Sequence, residues 1–340
     1  MNNHPIISIL IPNYNRGELL RETLDSCLAQ TYPHWEALVV DDGSDDSSDA
    51  VGREYAAKDQ RITYEKRALT PSGAPACRNQ AFQRSRGSYV IFLDSDDLLA
   101  PFCLEQRLDA IDKHPDNEFW VFPMLMFKDR PENGRYLWNK KTGKPDLNRF
   151  LELDAVWQTT GPIWKRQAVE EIGGFTPGLA CWQDVDFHLK ALTAGLRYEV
   201  FQDLKPDVYY RQHETGSISQ HEISSPAKMI SRKQIFVSNL HKFKQPLEES
   251  LKSSFRVFAR NVTIGATKSL NFKIAREVMQ QAARYKVFTA KDLMQFRVLG
   301  ALFALRLNKI GFFHRRMNDF IVKGRTPASI GQFEYKPGKD

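Results

Sequence analysis

The sequence predicts an α/β fold: a mostly parallel β-sheet flanked by helices, followed by a mainly helical C-terminal extension. Between residues 6 and 93, short apolar runs alternate with amphipathic segments, which is the pattern of β–α–β units in a parallel sheet. Three of these runs end in polar clusters. From about residue 224 onward strand signals fade, and the remaining segments are basic with apolar residues at helical spacing.

Each element follows from its own local pattern. Strands are expected where apolar residues run together, and helices where apolar residues recur every three or four positions. The expected strands cover residues 6–11, 35–40, 61–65, 89–93, 119–127, 198–201 and 208–211. The expected helices cover residues 18–30, 47–57, 74–85, 101–113, 166–172 and 182–194. Residues 130–144 are polar and contain Pro and Gly, so they are expected to form an irregular excursion.

Polar clusters at residues 13–16, 41–44 and 94–97 each follow a predicted strand. Ligands of open α/β sheets bind beyond the carboxyl ends of the strands. We therefore expect these clusters to meet at one edge of the sheet. Together they indicate a ligand site more strongly than any one of them does.

The most informative cluster is Asp94, Ser95, Asp96 and Asp97, which follows a buried-type apolar run. Three carboxylates in four residues repel one another unless a positive charge lies between them. A divalent cation with oxygen ligands meets this need and also binds phosphates. A solvated turn, or a cap on the helix that starts near Pro101, is the alternative that these residues leave open.

Charge is distributed unevenly along the 340 residues. Residues 221–340 contain 23 Lys and Arg against 8 Asp and Glu, whereas residues 1–220 contain 25 against 33. The basic end is therefore expected to face something anionic: a membrane surface, nucleic acid or the acidic first part of the chain. Nucleic acid is the least favoured partner, because no recognised binding motif accompanies the charge.

Cysteine usage and hydropathy favour a cytoplasmic protein. The four cysteines, Cys27, Cys77, Cys103 and Cys181, are far apart and form no metal-binding pair, which fits a reducing compartment. No signal peptide is visible, and no apolar run reaches the roughly 18 residues that a membrane span needs. A peripheral position at the inner face of a membrane stays open for the basic end.

Five motifs occur in order along the chain: ILIPNYN at residues 9–15, VVDDGS at 39–44, ACRN at 76–79, LDSDD at 93–97 and WQDVDF at 182–187. In this order they resemble the inverting glycosyltransferases of family 2, which have the GT-A fold. The resemblance covers roughly residues 5–220. It implies a glycosyltransferase domain at 1–222, with nucleotide-sugar binding in about 1–100 and the acceptor side in about 101–222, and a basic helical region at 223–340.

The resemblance implies a nucleotide-sugar donor, usually a UDP-sugar, and an Mg²⁺ or Mn²⁺ ion. By position, Pro12 and Tyr14 would line the uracil pocket, and Asp42 would accept a hydrogen bond from the uracil imide N–H. Arg78 would face the diphosphate or help to order the acidic loop. Ordinary roles stay open: a loop aromatic for Tyr14, a turn for Asp42 and a structural ion pair for Arg78.

The same resemblance assigns roles in the acidic loop. Asp94 and Ser95 would contact the donor, with Asp94 near the ribose or the water shell of the metal. Asp96 would be a metal ligand, and Asp97 would orient the loop. His213 would be a second metal or phosphate contact, although a lone histidine is more often structural. Few protein ligands are needed, because the diphosphate supplies others.

On the acceptor side, the resemblance makes Asp184 the general base that takes the proton of the attacking hydroxyl. Its alternative role is a cap on the helix that it begins, where the helix dipole favours the ionised carboxylate. Gln183 stands where the family usually has Glu, a change that affects acceptor choice more than catalysis. Trp164 and Trp182 would border the acceptor pocket, with core packing as the alternative for each.

The sequence therefore predicts a metal-dependent inverting glycosyltransferase that acts on a glycan or a lipid-linked acceptor. A nucleotidyltransferase on the same fold would need a Gly-rich, basic loop after the first strand, and residues 13–17 offer one Arg and one Gly. A non-catalytic module that binds nucleotide sugars or glycans stays open, because Gln183 departs from the family pattern.

The basic C-terminal region has three interpretations. An interfacial helix near lipid-linked acceptors would carry apolar residues on one face and cations beside them. This spacing is followed by the apolar residues Phe303, Leu307, Ile310 and Phe313 and the cations Arg306, Lys309, Arg315 and Arg316. A helical appendage packed on the acidic domain, or a dimer contact, is slightly favoured because the helices also need a core.

Overall fold

The computed structural model describes residues 5–67, 70–138, 142–213, 225–307 and 333–335. Its strands are β1 (Ile7–Asn13), β2 (Trp35–Asp41), β3 (Ile62–Lys66), β4 (Tyr89–Phe92), β5 (Leu98–Leu99), β6 (Phe119–Val121), β7 (Met124–Phe127), β8 (Tyr136–Leu137), β9 (Pro162–Lys165), β10 (Tyr198–Val200), β11 (Val208–Arg211) and β12 (Phe333–Glu334). Its helices are α1 (Gly17–Leu28), α2 (Ser48–Lys58), α3 (Ala74–Arg84), α4 (Cys103–Lys113), α5 (Asp146–Leu151), α6 (Arg166–Glu171), α7 (Gln183–Ala194), α8 (Pro226–His241), α9 (Glu249–Lys268), α10 (Phe272–Arg284) and α11 (Ala290–Ala304).

A seven-stranded sheet with the order β10-β6-β9-β4-β1-β2-β3 forms the centre of the fold. The neighbours β4, β1, β2 and β3 run parallel to one another, as do β6 and β10. β9 runs antiparallel to both β4 and β6. The predicted α/β fold with a mostly parallel sheet and a helical C-terminal extension is confirmed.

Both faces of this sheet are covered. Successive side chains of a strand point to opposite faces, and in β1 the side chain of Leu10 packs in one hydrophobic cluster while Ile9 and Ile11 pack in another. All seven residues of β1 are buried. A strand that is buried at every position is typical of a parallel sheet enclosed on two sides.

A second sheet has the order β12-β8-β7-β11-β5. The single strand expected over residues 119–127 is divided between the two sheets, because β6 belongs to the first and β7 to the second. Pro123 lies between them and has no N–H to donate to a ladder. The chain therefore leaves the first sheet at this point and places β7 beside β11.

The strand register brings the polar clusters together. The pairing of β1 with β2 places Asn13 opposite Asp41, and the pairing of β1 with β4 places Leu10 opposite Phe92. The acidic loop that follows β4 thus lies beside the end of β1. This edge of the sheet is the one where the sequence predicts a ligand site.

The C-terminal helices share the hydrophobic core of the sheet. One cluster of buried side chains includes Leu10 and Phe92 of the sheet together with Phe255 and Phe258 of α9. A buried hydrogen bond from Asn148 in α5 to the hydroxyl of Ser254 (Nδ2 to Oγ, 3.0 Å) links the same elements. The helices therefore pack on the α/β part of the chain, while the boundary proposed at residue 222 lies outside the described residues.

The apolar face expected in the C-terminal region differs from the one that forms. Phe303 belongs to the buried core and is 9% exposed, so it does not lie on an outward-facing stripe. Leu307 is half-buried, and the other proposed members Ile310 and Phe313, with Lys309, Arg315 and Arg316, lie outside the described residues. Among the helices that the structure describes, none combines the length and apolar character needed to cross a bilayer.

Candidate active site

The loop after β2 is held by a buried carboxylate. The side chain of Asp41 accepts hydrogen bonds from the Asn13 amide (2.7 Å) and from the backbone N–H (2.8 Å) and hydroxyl (2.6 Å) of Ser44. Asp41 also accepts from the N–H of Gly43, whose φ of +88° is one that side-chain-bearing residues rarely adopt. Asp41 therefore shapes the loop that follows β2.

The next residue, Asp42, is tied to its own chain. Its carboxylate accepts from Nη1 of Arg67 at 2.7 Å and from the backbone N–H of Gly73. The nearby ring of Tyr14 is 60% exposed and available for stacking, whereas Pro12 is buried within β1. Arg67 is not among the predicted site residues, although it directly follows the end of β3, and a position at a strand end is the signal that identified the other polar clusters.

Arg78 connects the acidic loop to helix α7. Its guanidinium donates to the Asp94 carboxylate and, at 3.4 Å, to the side-chain oxygen of Gln183. The guanidinium also lies 4.9 Å from the ring centre of Phe175 and is buried. A structural ion pair is one of the roles that the sequence leaves open for Arg78, and the bridge to Gln183 joins the acidic loop to the residue beside Asp184.

Asp96 and His213 lie next to each other, although they come from distant parts of the chain. Nε2 of His213 lies 2.8 Å from a carboxylate oxygen of Asp96, and Nη2 of Arg16 lies 3.7 Å from the same oxygen. His213 follows β11 and Asp96 follows β4, so the contact depends on the second sheet being placed against the first. The structure thus brings together the two residues that the resemblance assigned to the metal.

Asp97 is the buried anchor of the acidic loop. Its carboxylate accepts from the backbone N–H of Arg211 at 3.0 Å and from the hydroxyl of Thr160 at 3.3 Å. Burial raises the pKa of Asp97 well above its ordinary value, and the charges of Asp96 and Asp94 raise it further. Ser95, also assigned to the donor, is buried in the same loop.

The side chain of Arg211 connects the acidic loop to helix α1. Its Nε donates to the Asp96 carbonyl at 3.0 Å, and its Nη2 donates to the Glu22 carboxylate of α1 at 2.6 Å. The guanidinium packs 4.6 Å from the ring centre of Phe127. Arg211 is not among the predicted site residues, because its partners Asp96 and Glu22 come from distant parts of the chain.

A divalent cation fits the residues present if phosphate oxygens supply most of its ligands. Across the parts of the chain that the structure describes, no group of three or more His, Cys, Asp or Glu side chains is arranged to hold a metal. Asp96 and His213 supply one carboxylate and one imidazole, a donor pair compatible with Mn²⁺ or Mg²⁺ when phosphate oxygens complete the shell.

Asp184 lies in the first turn of α7, after Trp182, which has a left-handed conformation (φ 55°). Burial raises the pKa of Asp184 above its ordinary value; its own backbone N–H bond and the charge of Arg78 oppose this rise. The expectation that the helix N-terminus favours the ionised form is therefore outweighed by desolvation. A base with a raised pKa accepts protons more readily.

The two tryptophans assigned to the acceptor lie in different surroundings. Trp164 is completely buried in β9 and stacks on Phe119 with a centroid distance of 4.1 Å. The expectation that Trp164 borders the acceptor pocket is therefore wrong in this structure, because the core encloses the whole ring. Trp182 is half-buried, with the Arg232 guanidinium 4.4 Å from its ring centre and Phe258 at its edge.

A buried histidine lies one helical turn after the candidate base. Neither ring nitrogen of His188 has a hydrogen-bond partner, and the rings of Trp157 and Trp164 lie beside it. Burial lowers the pKa of His188 to about 3, and the charge of Arg78 lowers it too. His188 is thus neutral in the folded protein near neutral pH. The helical pattern of α7 indicates that His188 is a core residue, but it does not indicate that the imidazole is neutral and lacks hydrogen-bond partners.

The fold and the arrangement of strand-end polar residues define a GT-A-type α/β protein. The solved structure of S. aureus TarS 1–349 in complex with UDP-GlcNAc shares the fold with a TM-score of 0.58 and 18% identity, over 89% of this chain and 92% of that one. The mannosyltransferase PcManGT from Pyrobaculum calidifontis, in complex with GDP-Man and Mn²⁺, has a TM-score of 0.50 and 20% identity, over 95% and 86% of the two chains.

Sequence comparison supports a glycosyltransferase of family 2. Residues 8–173 match the model of glycosyl transferase family 2. The putative teichuronic acid biosynthesis glycosyltransferase TuaG of Bacillus subtilis is 39% identical over 105 residues, which is 31% of this chain and 41% of TuaG. The uncharacterized protein y4gI of Sinorhizobium fredii is 33% identical over 194 residues, 56% of this chain and 21% of y4gI. The chain thus spans less than half the length of these two relatives.

Proposed function

We propose that the protein is an inverting glycosyltransferase that transfers a sugar from a nucleotide sugar to a hydroxyl of a glycan or lipid-linked acceptor. The observation that carries this proposal is the Arg78 bridge between Asp94 and Gln183. Through it, the loop on the donor side and the helix that carries Asp184 form one hydrogen-bonded unit. Such a unit suits a reaction in which base and donor must keep a fixed relative position.

A UDP-sugar is the first donor to test. The exposed ring of Tyr14 can stack on a base, Pro12 is buried near the end of β1 two residues before it, and Asp42 lies in the loop after β2. The TarS structure, which shares the fold, was solved with UDP-GlcNAc. Asp42 would have to share its carboxylate among Arg67, the backbone N–H of Gly73 and the uracil N–H, and a carboxylate offers about four acceptor positions for them.

Asp184 acts as the general base in the proposed reaction. Its carboxylate takes the proton of the acceptor hydroxyl as that oxygen attacks the anomeric carbon from the side opposite the diphosphate. One displacement of this kind inverts the configuration at the anomeric carbon. Gln183 and Trp182, directly before Asp184, are the proposed acceptor contacts.

On the donor side, Arg78 and Ser95 would lie against the diphosphate, and Asp94 near the ribose. Asp96 and His213 would hold an Mg²⁺ or Mn²⁺ ion, which supplies positive charge that stabilises the leaving diphosphate. A cytoplasmic enzyme placed at the inner face of a membrane would meet both a nucleotide sugar and a lipid-linked acceptor.

The proposal is tested by Asp184→Asn. We expect UDP release in the presence of donor and acceptor to fall by at least about a hundredfold, while UDP affinity with Mn²⁺ stays within about twofold. Near-normal turnover in this variant would remove Asp184 from the role of base. A product that keeps the anomeric configuration of the donor sugar would contradict the single displacement.

A second candidate is a binding module without turnover, favoured by Gln183 in place of the usual Glu. The two functions separate in one experiment. Binding of UDP-sugars together with the absence of UDP release, over a panel of donors and glycan acceptors, supports the module. UDP release that depends on an added acceptor supports the enzyme.

A further inference from the structure

Helix α11 carries an exposed apolar stripe. Met294, Val298, Ala301 and Leu305 are all exposed, with exposed fractions of 68% for Met294, 52% for Val298 and 68% for Leu305. Their spacing of four, three and four residues places them on one face of the helix and at its C-terminal end. The opposite face packs into the core through Phe296, Leu299 and Phe303.

Cations flank this stripe on both sides. On the helical wheel Arg297 lies to one side of the apolar residues and Lys291 lies to the other, while Arg306 (φ 57°) follows the end of the helix; all three are exposed. The single acid of α11, Asp292, is half-buried and closes the capping box with Thr289. The outward face of α11 therefore combines apolar side chains with positive charges and presents no carboxylate.

The same charge extends over the neighbouring helices. Residues 225–307 contain 16 Lys and Arg against 4 Asp and Glu. One of these acids, Glu277, is paired with Lys233. Beside the stripe, a groove of about 380 Å³ lies between α10 and α11, with Phe272, Met279 and Leu293 as apolar lining and Arg276 and Arg297 as charged lining.

We propose that α11 docks on the surface of an anionic lipid bilayer. Met294, Val298 and Leu305 insert between the acyl chains, while Lys291, Arg297 and Arg306 bind lipid phosphates. The 15-residue helix is about 22 Å long, so it lies in the plane of the interface. An apolar stripe flanked by cations is the pattern of interfacial helices. This docking is independent of the proposed transfer reaction and does not use its residues.

Charge complementarity decides between a lipid surface and a second copy of the chain. A symmetric contact of this face with itself would bring the cations of α11 close to those of the partner helix, with no carboxylate on the outward face to offset them. An anionic membrane instead supplies phosphates for the cations and acyl chains for the stripe. The lipid surface is therefore the occupant to which we commit.

The experiment measures co-sedimentation of the full-length protein with vesicles. We expect binding to vesicles of phosphatidylcholine and phosphatidylglycerol in equal parts, and much weaker binding to phosphatidylcholine alone. Val298→Asp should reduce the affinity by at least about tenfold, and Arg297→Gln by about fivefold. High salt should weaken binding of the unaltered protein, because surface charges are then screened.

Ile230→Asp is the matched control. Ile230 lies on α8 and is 51% exposed, nearly the same as Val298, so the control adds the same charge at an equally exposed apolar position away from the stripe. We expect it to bind vesicles like the unaltered protein. Both aspartate variants should keep the melting temperature of the parent, because neither side chain is buried.

A second variant reports on the same face directly. Met294→Trp should shift its fluorescence to shorter wavelength when anionic vesicles are added, since the indole leaves water. Equal binding to neutral and anionic vesicles, unchanged binding of Val298→Asp, or equal loss in Ile230→Asp would overturn the proposal. A dimer in solution that Val298→Asp dissociates, without vesicle binding, would also overturn it and assign the face to a second copy.

Discussion

Single side chains hold the candidate site together by joining elements that are far apart in sequence. Arg211 donates to the Asp96 carbonyl and to Glu22, and Arg78 donates to Asp94 and Gln183. A guanidinium suits this task because its donors are fixed in one plane and keep their charge at all relevant pH values. The acidic loop is thus oriented by two arginines of the chain itself.

Arg211 is predicted to position the proposed metal ligands Asp96 and His213. Arg211→Met removes the hydrogen bond to the Asp96 carbonyl while filling a similar volume. We expect the affinity for Mn²⁺, measured by calorimetry with UDP present, to fall by roughly tenfold or more. The control is Arg197→Met, which removes an exposed arginine paired with Glu118 on the surface. Equal Mn²⁺ affinity in the two variants would contradict the positioning role.

The pH dependence of turnover is predicted from Asp184. A general base acts in its deprotonated form, so kcat/KM should rise as the pH increases through the pKa of Asp184. Burial places this pKa above the ordinary value of an aspartate, and the acid limb of the profile should therefore lie at higher pH than an exposed carboxylate would give. UDP affinity measured over the same pH range is the control, and a limb that appears equally in UDP binding would assign the titration to the donor site.

At the scale of elements, the first half of the sheet could be predicted because its signals are local. The alternation from β1 to β4 and the polar residues at the strand ends are visible in the sequence, and they located Asp41, Asp42 and the acidic loop. The later elements depend on long-range pairing. β9 follows a Gly-Pro pair and lies antiparallel between β4 and β6, a placement that no local pattern specifies.

The distinction between local signals and long-range pairing also applies to the residues of the candidate site. Asp96 and His213 were identified through the resemblance, yet their contact depends on how the second sheet lies against the first. Trp164 was misassigned because an aromatic residue beside a predicted site and one in the core look alike in sequence. The stack on Phe119 arises only when β9 and β6 pair. Whether such an aromatic residue is buried depends on tertiary packing, which the local sequence does not specify.

Helix α7 carries a prediction about stability. His188 has a pKa of about 3 in the folded state, against an ordinary value of 6.5. Between these values the unfolded chain binds more protons, so stability from this group is present above pH 6.5 and is lost as the pH falls, by up to about 1.4 kcal/mol per pH unit. His188→Phe should reduce the fall of the melting temperature between pH 6.5 and 4.

The control for this prediction is His34→Gln. His34 is exposed, and its replacement should leave the pH dependence of the melting temperature unchanged. A steep acid-induced loss that persists unaltered in His188→Phe would show that other groups, such as the buried carboxylates of the acidic loop, cause it.

At the scale of the whole molecule, the C-terminal helices and the sheet are expected to unfold as one unit. Phe258 of α9 is fully buried in the cluster that also contains Phe92 of the sheet, and it contacts Trp182 at the start of α7. Phe258→Ala should therefore lower the free energy of unfolding by about 3 kcal/mol or more, and the loss should appear in a single transition. Ile230→Ala, at an exposed position of α8, should change the free energy of unfolding by less than about 0.5 kcal/mol.

Far-ultraviolet circular dichroism and tryptophan fluorescence, followed during thermal unfolding, should give the same midpoint. Two separate transitions, with only the first shifted by Phe258→Ala, would show that the basic helices fold independently of the sheet.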